Sequence, residues 1–376
     1  GMGGGYYGGA DAGYMPDQYV EIDLAPDMAP DMDPDEGVDC VPGEDPDDGV
    51  PCEPEADAGV GPETETETSP LCEEIDLERP RVLYLSADDS NSMASPVLVR
   101  QRIEQGQVRF DARRIRTYEF LNYARFDFER PPPGELAVYG QLGGCDEGEL
   151  ALQIAVVAPE LPGARAPIHV VLVLDTSGSM GGAPIERLKD TVRAIARGLR
   201  AGDKVSAVQW AIRQTPLLEG VVVDGPDDPR LLPLADGLRA DGGTDLSGGL
   251  LAGYAQAEAH AEPGMHTRVV LVSDGGANAG VTDEELIGAK AEDRDGEGVY
   301  LVGVGVGDSQ GYNDTLMDVV TDAGRGAYVF VDSPAEAQHV FTERFDETML
   351  VAARDVKVQV TLPPYFAYRS GCNDPP

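Results

Sequence analysis

Between Ile168 and Leu350 five short, almost purely apolar runs recur: Ile168–Leu174, Val205–Trp210, Val269–Val272, Val299–Val306 and Ala327–Val331. A strand with no polar alternation must be buried on both faces, and only helices on both sides of a sheet can do that. The segments between the runs have helical spacing. Pro184–Leu199 places Ile185, Leu188, Val192, Ile195 and Leu199 on one face, with Pro184 suited to its first turn. Helices are also expected over Pro229–Leu238, Leu246–His260, Asp283–Ala291, Asn313–Ala323 and Pro334–Leu350, with a further strand near Gly220–Val223. The class is therefore α/β: a doubly wound, mostly parallel, Rossmann-like sheet over residues 166–351.

The flanks obey other rules. "RVLYLSADD" and "DVKVQVTLPPYF" read as strands, and "ELAVYGQLGGCDEGELALQIAVVAPEL" as two alternating strands around a Gly-Gly turn. "PVLVRQRIEQGQV" and "RIRTYEFLNYARF" have helical spacing. Residues 79–165 with 352–376 are expected to form a smaller, β-rich, sandwich-like unit. Residues 1–78 hold 24 of the 68 acidic residues and no Lys, Arg or His. Such a segment cannot bury enough apolar surface to offset its ordering entropy, so it reads as an extended, self-repelling acidic tether. Within it, Asp31–Cys40 carries acids at alternate positions. A calcium loop of the EF type needs Gly at its sixth position, which is Glu36, so a solvated linker is the better reading.

The net charge of −40 opposes binding to nucleic acid and to anionic membranes, and favours cations or basic partners. No stretch approaches the roughly 20 apolar residues of a membrane-spanning helix. The opening "GMGGGYYGGADAGY" lacks the basic start and apolar core of a signal peptide and reads as a processed or engineered terminus. The five cysteines, Cys40, Cys52, Cys72, Cys145 and Cys372, have no CxxC spacing, which favours disulfides in an oxidising compartment over zinc or redox chemistry. Cys145 and Cys372 fall in the two flanking strand regions and are candidates to staple them together.

The chemistry gathers at strand ends, where doubly wound sheets bind ligands. The first apolar run ends in Asp175-Thr176-Ser177-Gly178-Ser179; "ADGGTDLSGG" places Thr244 just before a helix; "VVLVSDGGAN" places Asp274 just after a strand. Two acids and three hydroxyls on one rim are hard oxygen donors of limited charge. They suit Mg²⁺, with Mn²⁺ or Ca²⁺ as alternatives, and leave a coordination position for an outside acid. Gly178, Gly242, Gly243 and Gly275 supply the turns. "VGVGVGDSQG" fails as a dinucleotide loop because Asp308 stands where Gly is required. The four histidines, His169, His260, His266 and His339, lack ligand spacing. Neither serine has a nucleophile-elbow context, so no enzyme activity is expected.

DxSxS after the first strand, Thr in a Gly-Gly-Thr turn and Asp-Gly after the fourth strand resemble the metal-ion-dependent adhesion site of von Willebrand factor A domains. The resemblance spans about Ala166–Val351. It implies Ser177, Ser179 and Thr244 as ligands, with Asp175 and Asp274 acting directly or through water. "RTYEFLNYARFDFERPPP", "GVGDSQGYNDTLMDVVTDAGRGAYVFVDSPAEAQHVF" and "VAARDVKVQV" are similar to a bacterial subgroup, often envelope lipoproteins, whose members usually continue past this chain's last residue. The resemblance implies metal-dependent adhesion to a protein ligand that presents an Asp or Glu carboxylate. It further implies an extracellular or envelope location, with any lipid anchor on a segment not present here. The alternative is a structural subunit of a surface fibre that self-assembles around a structural metal. Service to an envelope ATPase is a weaker third reading, resting on the fold alone.

Overall fold

The computed structural model describes residues 19–23, 80–86, 92–107, 109, 115–144, 149–160, 165–276, 298–308, 312–353, 356–363, 366 and 368–369. In chain order the elements are β1 (Tyr19–Asp23), β2 (Arg81–Ser86), α1 (Ala94–Glu104), α2 (Thr117–Tyr123), β3 (Ala137–Gly144), β4 (Leu150–Val157) and β5 (Ile168–Asp175). There follow α3 (Ala183–Gly198), β6 (Lys204–Trp210), β7 (Gln214–Val222), α4 (Leu231–Gly237), α5 (Leu246–Ala259), β8 (His266–Ser273) and β9 (Tyr300–Val306). The chain then continues through α6 (Asp314–Ala323), β10 (Tyr328–Val331), α7 (Pro334–Gln338), a π-helical turn (His339–Glu343), α8 (Phe345–Met349) and β11 (Lys357–Leu362). The five cysteines, the acidic stretch Asp31–Cys40 and the helix expected over Asp283–Ala291 lie outside the described residues.

Six strands form the central sheet in the order β10-β9-β8-β5-β6-β7. All neighbours are parallel except β7, which pairs antiparallel with β6. β7 departs from the alternation for a simple reason: only Ala211–Arg213 separate it from β6, too few residues for a crossover, so the pair folds as a hairpin. β5 lies between β6 and β8, and all eight of its residues are buried. Ile168, Val170, Leu172 and Leu174 join the core beneath α3 and the C-terminal helices, while Val171 and Val173 join the opposite core with α1, α5 and α6. Each such side chain contributes about 1.5–3 kcal/mol by leaving water, which fixes where the strand's polar end emerges.

The helix expected over Pro334–Leu350 is interrupted. Arg344 N–H donates to the His339 carbonyl, five residues back, which widens one turn. Phe341 and Phe345 are both buried where the chain crosses α3 at Gly198. An added Cβ on that glycine would lie 2.1 Å from Phe345 Cδ2 and 2.5 Å from the Phe341 carbonyl oxygen. The widened turn sets the Phe341 carbonyl and the Phe345 ring together over that glycine.

The stretch 79–165 is divided between two surroundings. β2 pairs antiparallel with β11, and Leu83, Leu152 and Ile154 pack on Val358, Val360 and Leu362, so the strands before and after the central sheet share a small core. By contrast, α1 packs Ala94, Val97 and Leu98 into the core of the central sheet, and the Met93 N–H donates to the Tyr328 carbonyl on edge strand β10. Those apolar side chains cover an otherwise open edge, which is why this helical segment sits with the sheet. The acidic front also contributes structure: β1 pairs parallel with β11, Val20 beside Val358 and Ile22 beside Val360.

Candidate metal site

The site forms where the chain order reverses, at the carboxyl ends of β5 and β8. Asp175, fully buried, ends β5. Its Oδ1 accepts from the Ser177 N–H at 2.8 Å and its Oδ2 from the Ser273 hydroxyl at 2.7 Å. Burial pushes this carboxyl up to about 6; the hydrogen bonds from Ser273 and Ser177 oppose the shift, and the nearby Asp274 charge adds to it. Burial penalises the charge of this carboxylate, so it gains from any cation placed beside it.

The second loop is fastened to the first. Thr176 donates its N–H and its hydroxyl to the Trp210 carbonyl at 2.8 and 3.0 Å. Asp241 N–H donates to the Thr176 carbonyl at 2.8 Å, and Gly178 N–H to the Gly242 carbonyl at 3.0 Å. Thr244 follows in this loop, half-buried, just before Asp245, whose carboxylate caps α5 by accepting from the Gly248 N–H.

The third loop turns sharply after β8. Gly276 N–H donates to Asp274 Oδ1 at 2.8 Å, and Gly275 N–H to the Ser273 hydroxyl at 3.1 Å. Gly275 has φ +69°, and an added Cβ would lie 2.7 Å from the Asn313 carbonyl oxygen, so glycine is required on both counts.

The hydroxyls of Ser177 and Ser179 stand 3.0 Å apart, and Ser179 Oγ donates to Asp274 Oδ1 at 3.2 Å. Two ligands at right angles around an octahedral ion with bonds of about 2.1 Å are separated by about 3.0 Å, so these oxygens have the spacing of octahedral edges. The donor set is hard, and its two carboxylates match one divalent charge. Among the described residues no group of three or more His, Cys, Asp or Glu side chains could hold a metal, which leaves no imidazole–thiolate or all-carboxylate cage there. The residues fit Mg²⁺ and its hard relatives. Asp175, Ser177, Ser179 and Asp274 are thus brought together by direct contacts. No hydrogen bond among the described residues ties the Thr244 hydroxyl to the other four.

Ser273 and Gly276 were not singled out from the sequence. Ser273 supports Asp175 from the neighbouring strand, and its only signal was a hydroxyl immediately before Asp274. A Cβ on Gly276 would lie 2.8 Å from both Asp274 Oδ1 and Ser179 Oγ, so the glycine keeps the centre of the site open. His169 and His266 begin the strands whose far ends carry the site. His169 is buried against the Ser206 hydroxyl and serves the core.

The family model of the von Willebrand factor type A domain matches residues 169–343. Domains of this family generally mediate metal-dependent protein interactions. The chain is 26% identical over 262 residues to the uncharacterized protein YfbK of Escherichia coli strain K12, covering 66% of this chain and 45% of that protein. It is 26% identical over 223 residues to the uncharacterized protein sll0103 of Synechocystis sp., covering 59% and 51%. The chain thus spans about half the length of these relatives. A solved von Willebrand factor type A protein from Catenulispora acidiphila superposes with a TM-score of 0.42 at 16% identity, over 53% of this chain and 45% of that one. No helix among the described residues is long and apolar enough to cross a membrane.

Proposed function

We propose that the von Willebrand factor type A domain of this chain is a metal-dependent adhesion module of the bacterial cell surface, and not an enzyme. Ser177, Ser179 and Thr244 hold Mg²⁺, Asp175 and Asp274 bind it directly or through water, and the shell is completed by an Asp or Glu carboxylate of a protein partner. The observation that carries this reading is the run of oxygens from Ser177 through Ser179 to Asp274 at 3.0 and 3.2 Å, joined to a buried, cation-seeking Asp175. A bound divalent ion supplies positive charge with an open position. The protein's part is to hold the hydroxyls on one side and to restrict the two carboxylates, so that one more acid is still attracted. No histidine stands beside the serines to activate either as a nucleophile, and the chain's acidity favours a cation at this rim. The envelope location, and a lipid anchor on a segment outside this chain, belong to the same proposal.

The test is titration calorimetry of the whole chain with Mg²⁺ and Mn²⁺, followed by a glutamate-bearing peptide added to the Mn²⁺-loaded protein while water-proton relaxation is read. The parent should bind one ion and the peptide should displace metal-bound water; Asp175→Ala should bind neither. Unchanged ion binding in Asp175→Ala would overturn the site assignment. Ordered polymers in electron micrographs on adding Mg²⁺, without peptide binding, would favour a fibre subunit instead.

A further inference from the structure

We infer that Arg116, in the segment ahead of the A domain, is a positioning residue of the metal site: through Asp314 and Asn313 it fixes the Asp274–Gly276 turn, so the arm carrying it sets the affinity for the ion. The inference rests on the metal reading above and adds a residue that the motif does not contain.

Arg116 directs its two terminal nitrogens at the two Asp314 oxygens, each at 3.0 Å. Its Nε lies 3.0 Å from Glu119 Oε1, and an Nη lies 3.3 Å from Asp318 Oδ2. The guanidinium also sits over the Tyr328 ring, 5.3 Å from its centre. Asp314 is held from the other side by the Tyr328 hydroxyl at 2.6 Å, which in turn stands 2.7 Å from the Tyr312 hydroxyl. The arm is locked at the same point. Arg116 N–H donates to Ser95 Oγ at 3.1 Å, and Ser95 N–H to Glu119 Oε2 at 2.6 Å.

Asp314 opens α6, and Asn313 is that helix's cap, its side chain accepting from the Leu316 N–H. Asn313 is also the residue on which the third site loop rests. Its N–H donates to the Asp274 carbonyl at 3.4 Å, and its carbonyl oxygen leaves no room for a Cβ on Gly275. A bidentate Arg–carboxylate pair fixes orientation as well as distance. The path from Arg116 to an ion-binding carboxylate is therefore Asp314, then its chain neighbour Asn313, then the backbone of Asp274.

A simple charge effect would act with the opposite sign. Removing Arg116 leaves Glu119, Asp314 and Asp318 without their shared cation, which makes the region more attractive to a divalent ion. Removing the Asp314 charge makes it less so. Positioning demands that both changes weaken binding. In Mn²⁺ and Mg²⁺ calorimetry on the full chain, Arg116→Gln and Asp314→Asn should each raise Kd at least about five-fold, the low end of ordinary coupling between sites. The double variant should be no weaker than the worse single one, because both break the same link. Arg116→Lys keeps the charge but not the fork, so it should not restore the parent affinity, and it serves in place of Arg116→Gln should that variant not fold. Amide exchange without metal should quicken at Asp274–Gly276 in both variants, a change that a mere staple of the arm would not produce. Shifts of Kd in opposite directions, or unaltered Kd and exchange in both variants, would overturn the inference. A parent that binds no ion would overturn the metal reading instead, with the exchange measurement still deciding whether the arm holds the turn.

Discussion

Asp175 allows the metal reading to be tested through stability, in a direction that intuition about buried hydrogen-bonded residues would miss. Its carboxyl, ordinarily near 3.8, is pushed up to about 6 by burial in the absence of metal. Below about pH 3.8 the group is protonated in both the folded and unfolded chain and makes no difference. As pH rises from there to about 6, the unfolded chain gives up its proton and the folded one keeps it, so folding is progressively disfavoured. Above about pH 6 the penalty is constant, roughly 3 kcal/mol for about 2 pH units at 1.36 kcal/mol each. Asp175→Asn removes that penalty. The amide oxygen can still accept from the Ser177 N–H, whereas the Ser273 hydroxyl must turn away and accept instead, a rearrangement costing about 1 kcal/mol. The variant should therefore be more stable than the parent by about 2 kcal/mol at pH 7.5 in EDTA, and no more stable near pH 3.5. Saturating Mg²⁺ should reverse the order, since only the parent gains about 2.7 kcal/mol at a hundred-fold excess over Kd. Urea unfolding followed by circular dichroism in the three conditions measures this. An Asn variant less stable than the parent at pH 7.5 in EDTA, or an advantage that persists at pH 3.5, would refute the reasoning.

Two further outcomes are expected. Gly276→Ala would place a methyl group 2.8 Å from both Asp274 Oδ1 and Ser179 Oγ, so calorimetry should find ion affinity reduced by about ten-fold or more, with a melting temperature close to the parent's. Burial, followed by the charges of Lys204 and His260, pushes the His169 ring down to about 4 from 6.5. Its neutral form is thus favoured on folding, and stability should fall by up to about 3 kcal/mol as pH drops from about 6.5 to 4. That part of the acid sensitivity should be absent in His169→Gln, measured as the difference in urea midpoints between about pH 7 and 4.

Much of this fold can be read from the chain because burial on two faces leaves so distinct a trace. Ile168–Leu174 has one polar residue, His169, and is otherwise unbroken apolar sequence, and with helical segments on either side of it in the chain such a strand is concealed by helices above and below. The same trace placed β6, β8, β9 and β10. It was faint for β7, whose exposed face and Pro216 resemble a loop, and it was silent on the π-helical turn at His339–Glu343. That turn depends on how Phe341 and Phe345 meet Gly198, a tertiary fit with no periodic signature. A short helix was also readable in "PVLVRQRIEQGQV", yet a helix pattern does not say which neighbour its buried face meets. That the face belongs to the edge of the central sheet followed from Met93 and Ser92 reaching Tyr328 across more than 230 residues.

The site divides in the same way. Asp175, Ser177, Ser179 and Asp274 are legible because strand ends and local spacing bring them to one rim, and spacing is what a sequence records. The residues that, on the proposed reading, orient the rim's donors toward an ion leave no such record. Ser273 is one hydroxyl among many until the pairing of β5 with β8 sets it 2.7 Å from Asp175. Arg116 is one of many arginines until α1 covers the β10 edge and brings it onto Asp314. Both act on the site from a neighbouring element, and in both the action is to fix a carboxylate or its backbone. A site of this kind spends its few charges on the ion and leaves the orientation of those charges to groups outside the motif. On the proposed reading, part of the ion affinity is therefore set outside the five motif positions, in the arm, and excision of residues 92–123 should weaken Mg²⁺ binding in calorimetry even where circular dichroism shows the central sheet still folded.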